Sequence, residues 1–295
     1  MRKKPKSLCA LCFDESLRRD RAEASPRPRI VQSSPVVEPL RFHNRPALRR
    51  PALILAFSGW NDAGQSATAA VRFLSEQLGA TRFASIDPEE FYDFTVSRPH
   101  VRLIEGAQRA LYWITLDFHT AAVGATSRDY IFAWGPEPHL KWKTFTDAVL
   151  QLVRECGVEL VVTLGGYLTE VLYTRPVPVT GFASDPELLR RIEVGATRYE
   201  GPTGIVGVLG DACRAAGVAS VSLWAALPHY IAAVPNPRGA LALLLRVTEL
   251  LALPADLTPL QNEAAEFEQR VNEAVAGDAQ LSAYVRELKK RESSN

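Results

Sequence analysis

A carboxylate, an arginine and an imidazole drawn to one place are enough for acid–base work on a small anion. This chain holds such residues at Asp62, Glu170, Arg175 and His229, with a further imidazole at His139 and aromatic rings at Trp60, Tyr167 and Tyr230. They fall in four stretches, 58–64, 135–139, 165–175 and 228–230, each placed just after an apolar run. If those runs are parallel strands, the four loops leave carboxyl ends and converge, and that edge is where ligands bind in open α/β sheets. Gly59, Gly64, Gly165 and Gly166 complete the candidate pocket, because a glycine backbone can bend sharply or approach a ligand closely. An architectural reading stands beside the chemical one and is preferred residue by residue. In it Asp62 caps a helix, Glu170 pairs with Arg175, and His229 is satisfied at a strand end.

Other chemistries lack their residues. Ser58-Gly59 has no G-x-S-x-G frame, and there is no H-E-x-x-H, no P-loop and no double Cys/His pair. Gly201-x-x-Gly204-x-x-Gly207 is read as preceding a strand at 205–209, which disqualifies it as a dinucleotide fingerprint. Cys9 and Cys12 form a C-x-x-C with no second ligand pair nearby, whereas Cys156 and Cys213 fall on apolar helix faces. His43, His100 and His119 show no ligand spacing. No metal and no cofactor is expected.

The elements that must position these residues alternate between strand and helix. Apolar runs at 52–57, 83–86, 129–134, 159–164 and 220–225 read as strands. Ala67, Ala70, Val71, Leu74 and Leu78 form a helical stripe after the first strand, and Phe145, Ala148, Val149, Leu152 and Val153 form another. Phe91–Phe94 and Leu111–Leu116 read as strands of a hairpin-like excursion turning at Glu105-Gly106. The segment 165–181 reads as a long loop, functional or a lid. Asp185-Pro186 reads as an N-cap followed by proline at the first helical position, and Asn236-Pro237 opens a helix running to about Leu253. Thr258-Pro259-Leu260-Gln261 reads as a capping box before a stripe of Leu260, Ala264, Phe267, Val271 and Val275. Gly277-Asp278 then ends that helix and caps a second, with Leu281, Tyr284, Val285 and Leu288. The pattern predicts an α/β layered domain over 51–253 and a helical hairpin over 254–295.

Residues 1–50 hold thirteen Lys/Arg against five Asp/Glu, so this stretch carries +8 and the remaining 245 residues −7. The stretch lacks hydrophobic periodicity and reads as a solvated, unstructured and dispensable basic tail, with nucleic acid and membrane as lesser readings. Met1 is the sole methionine and Arg outnumbers Lys 27 to 7, a bias of GC-rich genomes, in which an overextended gene start would add such a tail. No signal peptide is legible, and the apolar run 240–253 is too short to span a bilayer and is interrupted by Arg246 and Glu249. A cytoplasmic protein is expected.

Gly59-Trp60-x-Asp62-Ala63-Gly64 after a hydrophobic strand resembles the entry motif of the proteasome assembly chaperone family, in its bacterial and archaeal branch. Gly165-Gly166-Tyr167, Gly201-Pro202-Thr203-Gly204 with Gly207, and Leu227-Pro228-His229-Tyr230 resemble later family stretches in order and spacing, from about 51 to about 253. The resemblance implies a three-layer αβα sandwich similar to nucleoside-phosphorylase-like folds. It also implies a non-catalytic binding or assembly role, homo-oligomers, and proteasome-related partners. The family's docking tripeptide, hydrophobic-tyrosine-any, is not matched by Ser293-Ser294-Asn295, so docking by the C-terminus is not expected. The alternative is a small-metabolite enzyme or sensor using the pocket above.

Overall fold

A computed structural model describes residues 38–104, 106, 108–124, 126–231 and 233–294. Cys9 and Cys12 lie outside them. In chain order the elements are β1 (Leu40–Phe42), β2 (Ala52–Ser58), α1 (Ser66–Gln77), β3 (Thr81–Ile86), β4 (His100–Ile104), β5 (Gln108–Tyr112), β6 (Leu116–Ala121), β7 (Tyr130–Pro136), α2 (Trp142–Cys156), β8 (Leu160–Thr169), β9 (Val179–Ala183), α3 (Pro186–Arg190), β10 (Gly195–Ala196), α4 (Ile205–Ala215), β11 (Ala219–Pro228), α5 (Pro237–Leu251), α6 (Thr258–Gly277) and α7 (Ala279–Ser294).

Nine strands form one sheet in the order β1-β3-β6-β7-β2-β8-β11-β9-β10. The middle four, β7, β2, β8 and β11, run parallel. Their continuous apolar sequences suit strands covered on both faces. Alternate residues of β2 serve opposite layers. Ala52, Ile54 and Ala56 pack in the cluster that holds Val71 and Leu74 of α1 and Leu243, Leu244 and Val247 of α5. Leu53, Leu55 and Phe57 pack in the one that holds Phe145, Val149 and Leu152 of α2 and Ile205, Val206 and Leu209 of α4. Each large side chain so buried contributes about 1.5–3 kcal/mol relative to exposure. The result is the αβα sandwich with a C-terminal helical hairpin.

Part of the expected tail is structural. Glu38–Arg50 includes β1, which pairs antiparallel with β3 through Leu40 and Ile86, and Leu40 is buried. The His43 ring is hydrogen-bonded to Ser85 Oγ at 3.0 Å. The Arg49 amide and guanidinium both donate to the buried Asp129 carboxylate at 2.7 Å. Burial alone would push the Asp129 pKa up, but the Arg49 bonds and charge prevail and hold it below the ordinary carboxylate value. A strand of three residues paired on one edge carries too little periodicity to stand out from its charged surroundings.

Four other expectations are corrected. Ile205–Leu209 opens helix α4, with Ile205, Val206, Leu209 and Cys213 on its buried stripe. The β-branched pair reads as strand, but the cap that starts the helix comes from residue 137, remote in sequence. Phe91–Phe94 is a turn: the Phe91 and Tyr92 amides bond the Pro88 carbonyl, and the Phe91 ring sits edge-on to Phe145 with centroids 5.2 Å apart. The hairpin is instead β4–β5, turning at Gly106 with φ +77°. The long loop shrinks to 170–178, because β8 runs on to Thr169 and β9 begins at Val179. At α6 no side-chain cap comes from Thr258; Asp256 Oδ1 accepts the Thr258 amide at 2.9 Å. Asp185 and Asp278 cap their helices as expected, and Asn236 caps α5. Cys213 is buried and Cys156 partly so, and burial pushes both thiols up to about 11.

Candidate functional site

The loops after β2, β7, β8 and β11 all leave carboxyl ends of the parallel strands, as their placement requires. They form two groups rather than one pocket. The first lies under the turn at 58–64. The chain leaves β2 through Gly59 at φ +112° and enters α1 through Gly64 at φ +60°, both in the region that favours glycine. Between them Asp62 turns inward. Its Oδ1 accepts the Ala67 amide at 2.7 Å and the Thr68 amide at 3.4 Å, and its Oδ2 accepts the Thr68 hydroxyl at 2.5 Å. Asp62 therefore caps α1, one turn further along than a direct cap would, because a short 3₁₀ turn at Ala63–Gln65 intervenes. Burial raises its pKa above the ordinary value, and the bonds from Thr68 and Ala67 only partly offset this.

Neighbours that sequence reasoning missed complete this group. The Gly166 amide donates to the Asn61 carbonyl at 2.8 Å and the Asn236 amide to the Gly64 carbonyl at 2.7 Å. Glu137, just past β7, accepts the Asn61 side-chain amide at 2.8 Å and the Ile205 amide at 2.7 Å on one oxygen. It is thus the cap of α4, a carboxylate at the positive end of a helix. Small residues make the convergence possible. A Cβ on Gly204 would stand 2.3 Å from Asn61 Oδ1, on Gly166 2.7 Å from Ser66 Oγ, and on Gly165 2.5 Å from the Trp224 ring. On Gly64 it would meet Asn236 Cβ at 2.8 Å. The glycine motifs mark where backbone and side chains interlock; Glu137 left no signal beyond its place after a strand.

The second group holds the C-terminal hairpin. The Tyr230 hydroxyl donates to the Val171 carbonyl at 2.9 Å and accepts the Tyr173 amide at 3.0 Å. His229 and Glu170 both reach the Tyr284 hydroxyl of α7, at 3.4 and 3.3 Å. The expected Glu170–Arg175 pair is not the one formed: Arg175 meets Glu292 of α7 at 3.2 Å. Arg238 of α5 donates to the carbonyls of Tyr173 and Arg175. Beneath these polar ties, Leu172 and Tyr173 pack with Phe267, Val271, Val285 and Leu288. His139 belongs to neither group. It accepts the Asp93 amide at 2.9 Å and borders an open notch of about 530 Å³ with Ser58, Gly59, Glu137 and Trp142. Trp60 and Tyr167 point outward, 62% and 38% exposed. Among the described residues no cluster of three or more His, Cys, Asp or Glu could hold a metal ion.

The sequence profile of the PAC2 family matches residues 56–275. A crystal structure of a PAC2 family protein from Streptomyces avermitilis is similar at 42% identity, with 80% of this chain and 99% of that one covered and a TM-score of 0.73. A proteasome-assembly chaperone homologue from Mycobacterium tuberculosis is similar at 39% identity, with 79% and 99% covered and a TM-score of 0.73. An archaeal proteasome activator from Pyrococcus furiosus shares the fold at 20% identity, with 80% and 97% covered and a TM-score of 0.63. A search of curated proteins finds no match.

Proposed function

Because the chain belongs to the PAC2 family, we propose that it is a non-catalytic binding and assembly protein that forms homo-oligomers and engages proteasome subunits. One observation carries this reading. The polar candidates at the carboxyl edge of the sheet hold the protein itself together, while the large side chains there face outward. Asp62 and Glu137 cap α1 and α4, and Glu170, Arg175, His229 and Tyr230 tie down the C-terminal hairpin or the loop beneath it. A catalytic acid or base needs a free position facing substrate. Trp60 and Tyr167, by contrast, present aromatic area of the kind that anchors protein interfaces. The similarity to a proteasome-assembly chaperone homologue from Mycobacterium tuberculosis supports the choice of partner. A cytoplasmic location goes with it; no helix among the described residues is long and apolar enough to cross a membrane.

The test is reconstitution. The purified chain is mixed with proteasome α- and β-subunits from its own source, and complexes are followed by native mass spectrometry. The expected result is a complex with α-subunits or a half-assembled particle, weakened by Trp60→Ala. No complex at tens of micromolar overturns the partner. A thermal shift of several degrees with one class of nucleotide, nucleoside or amino acid would replace this reading by the small-metabolite one.

A further inference from the structure

Strands β4 and β5 form a two-stranded hairpin outside the main sheet. All but one of their ten residues are exposed, Ala110 being half-buried. A lone hairpin of this kind is marginal in water and gains order from a surface to lie on. Its two faces differ. Val101 opposite Leu111, and Leu103 opposite Arg109, share one face, and the three apolar residues are 56%, 50% and 64% exposed for Val101, Leu111 and Leu103. The other face is mixed: Ile104 and Tyr112 are also exposed there, beside His100 and Gln108, and the Arg102 guanidinium lies over the Tyr112 ring at 5.0 Å. The arm is basic on balance: Arg98, Arg102 and Arg109 lie in or beside it, against one acidic residue in the sequence between its strands, Glu105.

A surface of opposite character lies on the same chain, beside α6. A groove of about 530 Å³ is floored by Ile231, Val234, Phe267, Val271, Ala274 and Leu281, with Glu263 and Arg270 at its rim. Glu263, Glu266, Arg270 and Glu273 follow one another at spacings of three, four and three along α6, which sets them in one row. Arg270 reaches Glu266 at 4.0 Å, so the row is acidic on balance. The apolar repeats also agree. Val101 and Leu103 stand about 7 Å apart along a strand, and Phe267 and Val271 about 6 Å apart along a helix.

We propose that the β4–β5 arm of one copy docks, apolar face down, in the groove beside α6 of the next copy. This rests on the homo-oligomer reading above and names its interface. Arm against arm would oppose three arginines to three arginines, which like charges disfavour. Arm in groove joins a basic element to an acidic row and covers two apolar surfaces at once. Such a contact is head-to-tail, so it builds a closed ring if the rotation permits.

Two variants of the full chain test it, both at exposed positions that should leave the fold intact: Val101→Asp with Leu111→Asp on the arm, and Ala274→Arg in the groove. Circular dichroism and melting check that each folds. Sedimentation velocity at micromolar concentration should show an oligomer for the wild type, and dissociation constants raised about 100-fold for each variant, as for a disrupted hot spot. Mixed together, the two variants should give a discrete one-to-one dimer, because one sound arm and one sound groove remain. If the wild type is oligomeric and either variant keeps its mass, the arm-in-groove contact is wrong and self-association uses another surface. If both variants dissociate but their mixture does not dimerise, the two surfaces do not meet and the proposal falls. If the wild type is a monomer, this inference and the homo-oligomer reading fall together.

Discussion

Asp62 is a buried carboxylate held by three donors of one helix, and this makes its chemistry predictable. Asp62→Ala strands the Ala67 amide and the Thr68 hydroxyl and should cost about 2 kcal/mol in denaturant unfolding. Asp62→Asn keeps an acceptor for the amide and should cost less. Proton linkage gives a second readout. The folded-state pKa of Asp62 is raised above 3.8, mainly by burial, so the folded protein binds the proton more tightly than the unfolded chain. That contribution is fully present below 3.8 and is lost as pH rises through the raised value. The stability difference between wild type and Asp62→Asn should therefore move toward the variant as pH rises from acid to neutral; a difference flat with pH would refute the assignment. Two glycines, Gly204 just before α4 and Gly210 inside it, make a contrasting pair. Gly204→Ala drives a methyl to 2.3 Å from Asn61 Oδ1 and should cost about 1–3 kcal/mol. Gly210→Ala meets nothing within 4 Å and should stabilise the helix by up to about 1 kcal/mol. Equal effects from both would mean that the close approach at Gly204 relaxes freely.

At the scale of elements, the α6–α7 hairpin packs on Leu172 and Tyr173 of the β8–β9 loop, while Leu260 at the start of α6 joins the α1–α5 layer of the sandwich. Local opening of such a unit needs less free energy than global unfolding. Tyr230→Phe removes the hydroxyl that ties the Val171 carbonyl to the Tyr173 amide, but keeps the ring against Tyr173 and Tyr284. Amide exchange in 171–175 and α7 should rise several-fold, while β2 and β8 stay protected. Unchanged exchange there would show that apolar packing alone holds the hairpin. This behaviour was only half legible beforehand. The amphipathic stripes of α6 and α7 announce two helices, but nothing in a stripe says which surface it will meet. The ties from Glu170, Arg175 and His229 join residues more than fifty positions apart.

For the whole molecule, the boundary of the folded unit is the plainest correction. Truncation before Glu38 keeps β1, Leu40 and Arg49. Truncation after Arg49 removes β1, the buried Leu40, and the partner of Asp129. An uncompensated buried charge and a lost strand should together cost about 3 kcal/mol or more. A melting comparison of the two truncated chains checks this, and equal melting temperatures would sink it. The Asp129 pair adds a pH signature. Its folded-state value lies below 3.8, so its stabilisation holds above that value and disappears as pH falls through the lowered one.

Composition and periodicity alone determined the layered α/β class, most of the central strands, the caps at Asp185 and Asp278, the helix start at Asn236-Pro237, and the amphipathic C-terminal helices. These are local properties: a repeat of 2 or 3.6, or a side chain bonding amides two or three residues ahead, is written in a short window. The glycine-flanked turn with Asp62 was legible for the same reason. Only the tertiary structure decided which distant groups satisfy one another. It set Glu137 on the amide of Ile205 and so made a helix where the β-branched residues read as strand. It paired Arg175 with Glu292 instead of Glu170, and recruited Leu40 and Arg49 from a charged stretch into the fold. Buried polar groups must find partners wherever the chain crossings bring them, and those crossings are fixed by how the sheet and its two helical layers pack, not by neighbours in sequence.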